Sequence, residues 1–129
     1  GIKPSFLMRK IIICLLASFT FPISASANIE DQFFPNLEIR PRDFSEWFHL
    51  GSITGQGAFL CVQFIVGDLP LEKAVGYRDG TINVYSNEGE RAKEFAIDAF
   101  NEGILVQQNM YNSPFSAEEL KKCDKLKIK

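Results

Sequence analysis

A small, mainly α-helical domain of three to four helices, preceded by a signal peptide, is the fold class this sequence predicts. Three observations carry the prediction. The segment from Glu88 to Gln108 repeats apolar residues at helical spacing. The stretch from Leu50 to Gly67 contains no Asp, Glu, Lys or Arg and is apolar or small nearly throughout. The front end reads Met8-Arg9-Lys10, then Ile11-Ile12-Ile13-Cys14-Leu15-Leu16, and closes on Ala25-Ser26-Ala27. A basic cap, an apolar run and a small-x-small exit are the parts of a secretory leader.

The leader is assigned to 8–27, with cleavage between Ala27 and Asn28. Its apolar run is shorter than the ~20 residues of a membrane span, and Pro22 interrupts it before the exit. Cys14 is preceded by isoleucines where a lipid-attachment site needs a small residue. Residues 1–7 lie upstream of Met8, read as a remnant, and take no part in the fold. The exported domain is then 28–129, with an extended arm over 28–44 and a helical body over 45–127.

The composition narrows the function classes. Removing Lys3, Arg9 and Lys10 from fourteen basic residues leaves eleven against sixteen acids, a net charge near minus five. An acidic domain is a poor partner for nucleic acid, whose phosphates need a basic surface. Lys121, Lys122, Lys125, Lys127 and Lys129 gather at the end of the chain, where cations suit a helix C-terminus. Of three cysteines, Cys61 and Cys123 remain in the exported chain. An even count in an oxidising compartment favours pairing. A buried free thiol at Cys61 and a metal pair are the alternatives; the second is weak because His49 is the one imidazole.

The elements follow in order. Pro35 and Pro41 keep the arm extended, with Phe33, Phe34, Leu37 and Ile39 against the body. Asp43-Phe44-Ser45-Glu46 offers caps ahead of Trp47 and Phe48. Leu50 to Val66 reads as a central helix, with Ser52, Gln56 and Gln63 on a narrow polar stripe. Gly51, Gly55, Ala58 and Val62 make a smooth ridge for a second helix. A buried strand over 58–66 and a membrane helix are the competing readings. Asp68-Leu69-Pro70 opens a helix carrying Leu71, Ala74, Val75, Ile82 and Tyr85. The same segment has a rival: Asp79-Gly80 between two alternating runs is a hairpin signal, which gives an α+β fold with a hairpin at 74–85. Asn87 to Glu90 forms a capping-box pattern before the clearest helix, whose buried face is Ala92, Phe95, Ala96, Ala99, Gly103 and Val106, widened by Phe100 and Ile104. Glu94, Asp98 and Asn101 point to water. Ser116 to Glu119 is a second capping box, opening a short last helix through Leu120 and Cys123.

No catalytic, cofactor-binding or metal-binding motif stands out. His49, beside Trp47 and Phe48, reads as a packing histidine before a catalytic base. Glu90, Glu94, Asp98 and Glu102 form an acid ladder on one helix, which an outward charged face explains better than a carboxylate pair. Gly51, Gly55 and Gly57 lack the Lys-Ser/Thr of a phosphate loop. The aromatic group Phe44, Trp47, Phe48 and His49 is the candidate ligand groove, against the plainer reading of core aromatics.

Leu50-Gly51-Ser52, Gly55, Leu60-Cys61, Gly67-Asp68-Leu69-Pro70 and Ala74, then Phe95-Ala96, Ala99-Phe100, Gly103-Ile104 and the late Cys123, make a string that resembles small, exported, mostly helical proteins of cyanobacteria whose function is unknown. The resemblance covers most of 50–123. It implies a helical domain with a Cys61–Cys123 bridge, and it tips 71–85 towards helix. It implies no activity.

The expected function is a secreted or periplasmic, non-enzymatic binding or structural module. A small hydrolase or lyase using acidic residues with His49, and a membrane-associated accessory protein using 50–67, are the alternatives. Ligand and partner stay unidentified; nucleic acid is not expected, no cofactor is expected, and the membrane is met only through the leader before cleavage.

Overall fold

The computed structural model describes residues 37–129, which hold four α-helices and a closing 3₁₀ turn. In chain order these are α1 (Phe44–Ile65), α2 (Leu71–Ser86), α3 (Glu90–Gln108), α4 (Ala117–Lys121) and the turn Lys122–Leu126. The mainly helical class is therefore observed. The leader, its cleavage site Ala27–Asn28 and the arm as far as 36 lie outside the described residues.

The helix starts and stops have local causes. The Asp43 side chain accepts the Glu46 backbone N–H at 2.9 Å, which satisfies one of the orphan donors at the start of α1. Phe44 is thus the first helical residue and not the end of the arm, and the expected central helix gains a further turn and a half at its front. Gly67, at φ 82°, ends α1 in the left-handed region, and the N–H groups of Asp68 and Leu69 close on the Gln63 carbonyl at 3.1 and 3.3 Å. The strand and hairpin readings are overturned, since both segments are helical. A two-stranded hairpin has no third strand here to shelter it. As a helix, the same residues bury Ala74 and Ile82 in the core. Asp68 makes no cap bond; Pro70 stands at the N-cap of α2. Asn87 likewise does not cap α3, which starts from Gly89 at φ 121°. The Ser116–Glu119 box forms in both directions, Ser116 Oγ accepting from Glu119 N at 3.2 Å and Glu119 Oε1 from Ser116 N at 3.0 Å. Among the described residues, no helix is long and apolar enough to cross a membrane.

The core is built on the crossing of α1 and α3. A Cβ placed on Gly103 would collide with the Thr54 carbonyl, and one on Gly57 with the Phe100 carbonyl. The two backbones therefore touch, and only glycine admits that approach. The ridge expected over Gly51, Gly55, Ala58 and Val62 is displaced: contact runs through Thr54, Gly57 and Ala58. Around it Leu50, Phe100, Ile104, Leu126, Cys61 and Cys123 are fully buried.

Two further fasteners hold the short elements. Cys61 and Cys123 lie 2.05 Å apart at sulfur, the separation of a disulfide, and close a span of 62 residues. The polar stripe of α3 does the rest. Asp98 accepts the Glu38 and Ile39 N–H groups at 2.8 and 3.1 Å. Asn101 pairs with both the N–H and the carbonyl of Ile128, at 2.8 and 2.7 Å. Gln108 donates to the Leu120 carbonyl at 3.0 Å and to Asp124 at 2.8 Å. Asp98 and Asn101, expected in water, instead strap both flanking segments onto α3.

Two outcomes follow in urea titrations. Gly103→Ala is expected to cost ~3 kcal/mol or more, because the clash is with backbone on a packed helix, while Gly80→Ala, in a helix and with open space around it, gains about 0.5–1 kcal/mol. Reduction of Cys61–Cys123 is expected to lower stability by about 4 kcal/mol, the loop-entropy value for a span of this length, read as the difference between titrations with and without a phosphine reductant.

Candidate functional site

The aromatic group singled out in the sequence stands at the front of α1. Phe44 and Phe48 are one turn apart on the outward side of the helix and both are exposed. Trp47 lies about a quarter-turn away and is part-exposed. His49 points the other way, into the seam with α2. The helix thus spreads the four residues around its axis. It offers Phe44 and Phe48 as a ridge on its outward side.

His49 is held firmly. Its Nδ1 lies 2.5 Å from the Tyr85 hydroxyl, and the two rings meet edge to face at 5.4 Å between centroids. The Phe48 ring packs edge-on to the imidazole at 5.8 Å. Burial pushes the Tyr85 phenol above its ordinary value, with the negative charge of Glu88 adding to it. The phenol therefore stays protonated and able to donate to Nδ1. Tyr85 was placed by the sequence on the helical face of α2, but its partnership with His49 depends on how the two helices are aligned.

The acid ladder does not form one outward face. Glu102 is 2 % exposed and lies in the core, and the Asp98 carboxylate is engaged by the two arm N–H groups. Among the described residues, no group of three His, Cys, Asp or Glu side chains is placed to hold a metal ion.

A polar cluster that the sequence reading missed sits beside the ridge. Glu46, in the first turn of α1, receives the Arg42 backbone N–H at 2.7 Å, the Arg42 guanidinium at 3.1 and 3.3 Å, and Arg91 of α3 at 3.2 Å. Arg91 also donates to the Arg40 carbonyl at 3.1 Å. The cluster fixes the arm, the start of α1 and the start of α3 to one another, and so sets the aromatic ridge in place. Its sequence signal was slight, an Arg42–Glu46 pair at i, i+4. Burial raises the Glu46 pKa, but the Arg42 and Arg91 hydrogen bonds outweigh it and hold the carboxyl at about 2.

No protein-family model, curated protein or solved structure matches this chain. The site is therefore read from its own geometry.

Because the Glu46 carboxyl has a lower pKa folded than unfolded, the stability it contributes is complete above its ordinary carboxylate pKa and is lost as pH falls from there towards about 2. Glu46→Gln is expected to cost ~1 kcal/mol at neutral pH, as an exposed charge cluster does, and to flatten the acid limb of stability measured by thermal melts between pH 6 and 2.

Proposed function

We propose that this chain is an exported, non-enzymatic helical module that binds a partner through exposed aromatic side chains. The observation that carries the reading is the Phe44–Phe48 ridge: two large apolar rings left in solvent on a helix front that Glu46, Arg42 and Arg91 hold rigid. Small domains do not leave such rings uncovered without a use for them more often than they bury them. Export is supported by the leader pattern of 8–27, by the resemblance to small exported cyanobacterial proteins, and by the Cys61–Cys123 bonding distance, which suits an oxidising compartment. The hydrolase or lyase reading draws no comparable support. His49 is committed to Tyr85, and two members of the acid ladder are buried or hydrogen-bonded to backbone.

The chain holds one tryptophan, Trp47, and it borders the ridge. In the exported protein, with a mass beginning at Asn28 and cysteines alkylated only after reduction, Trp47 emission is expected to shift to shorter wavelength as a peptide with an apolar helical face is added. The shift is expected to vanish in a Phe44→Ser, Phe48→Ser variant. A mass that retains Met8, or emission indifferent to every apolar-faced peptide tried, counts against the reading.

A further inference from the structure

The outward side of the α1–α2 pair, opposite α3, carries a second arrangement of exposed groups. Two hydrogen bonds fix how the helices align. His49 meets Tyr85 at one end, and Thr81 Oγ1 donates to Gln56 Oε1 at 2.7 Å further along. The alignment is antiparallel, so the turn after Gln56 on α1 lies beside the turn before Thr81 on α2. It sets Phe48 level with Val84 at one end of the outward side, and Phe59 level with Tyr77 at the other. These four are exposed by 65, 62, 44 and 59 % respectively. Between them lie Ser52 on α1 and Gly80 on α2, both exposed and both small. The outward side is therefore a shallow floor with an apolar knob at each corner.

The face carries no charge across this span. α1 has no Asp, Glu, Lys or Arg after Glu46, and Tyr77, Gly80, Thr81 and Val84 are uncharged. A charged partner surface gains nothing there and loses its hydration, so the complementary surface is itself uncharged. This face meets that requirement for itself. A half-turn rotation about an axis lying in the face, across the helices near residue 53, sets Phe48 over Phe59 of a second copy and Val84 over its Tyr77. Knobs then meet knobs in pairs at the ends, and the small residues let the helix backbones approach in the middle. At ~200 Å² per aromatic side chain, the three aromatic corners expose roughly 340 Å². That is about two-fifths of the ~800 Å² per partner of a standard interface, to which Val84 and the helix surface between the corners add.

From this geometry we infer that a second copy of this chain occupies the face, giving a two-fold dimer with α1 antiparallel to α1 and α2 antiparallel to α2. The inference rests on the reading of the chain as an interaction module, and it names the partner.

Sedimentation of the oxidised full chain, from micromolar to hundreds of micromolar, is expected to show a monomer–dimer equilibrium. Phe59→Asp is expected to weaken it by ~30-fold or more, the loss typical of a buried aromatic anchor, with the helical circular dichroism of the parent. A second variant carries the test independently of any effect of Phe59 on folding: Phe59→p-benzoylphenylalanine, irradiated in a mixture of isotope-labelled and unlabelled chains, is expected to capture the Phe48 segment of the other copy. A monomer at every concentration overturns the inference, as does a dimer whose cross-links avoid the Phe48 segment. A monomer that instead sediments with anionic phospholipid vesicles overturns it in favour of a membrane surface. A monomer whose Trp47 still responds to an apolar-faced peptide overturns the dimer and leaves the binding-module reading in place.

Discussion

The backbone contact between α1 and α3 is the constraint on which the rest of this structure depends. Gly57 and Gly103 face a carbonyl of the opposite helix, Gly57 meeting Phe100 and Gly103 meeting Thr54. No side chain separates the helices there, so the crossing point is set by two glycines and tolerates little variation. Everything near it follows. Leu50, Cys61, Phe100 and Ile104 fill the space the close approach creates on either side. Thr54, buried at the crossing, turns its hydroxyl back on the Leu50 carbonyl at 2.5 Å and leaves no orphan donor.

A domain this small has little core to spare, and its ends would fray if hydrophobic burial alone held them. The chain answers with polar straps and a covalent one. Asp98 and Asn101, one turn apart on α3, hold the incoming and outgoing segments by their backbone groups, and Gln108 holds α4 and the turn after it. Such bonds copy backbone pairing without needing another strand or helix. The disulfide ties the last turn to the C-terminal part of α1, so the final element, too short to persist alone, acquires the rigidity of that helix.

The surface proposed for binding is what remains after this fastening. With α3 occupying one side of α1 and α2 another, the third side keeps its aromatic residues in solvent. The Arg42–Glu46–Arg91 cluster and the His49–Tyr85 contact stiffen the Phe48 end of the surface, which lowers the ordering cost of any association there. Rigid aromatic groups on an uncharged helix face are suited to contact with another apolar surface.

Local patterns in the sequence were sufficient to determine most of this secondary structure. The 3.6-residue repeat of 88–108 appears as α3, which buries Phe95, Ala96, Ala99, Phe100, Gly103 and Ile104 as expected while Ala92 and Val106 stay part-exposed, and the Ser116 box forms as written. An uncharged stretch became the central helix, and two of the three cysteines found each other. Where local signals conflicted, they were not decisive. Asp79-Gly80 favours a turn by its own chemistry, yet it lies inside α2, because Ala74 and Ile82 are buried only when the segment is helical. Asp68 and Asn87 carry good capping side chains that the observed helix starts do not use. Tertiary structure alone decided which glycines would bear the crossing, that Glu102 would enter the core while Asp98 became a strap, and that His49, still edge-on to Phe48, would meet Tyr85 across the seam. Periodicity tells which residues share a face of one helix. It is silent on which neighbour that face meets and at what height, and those two quantities are set by the packing of backbones and by the disulfide that joins residues 62 positions apart.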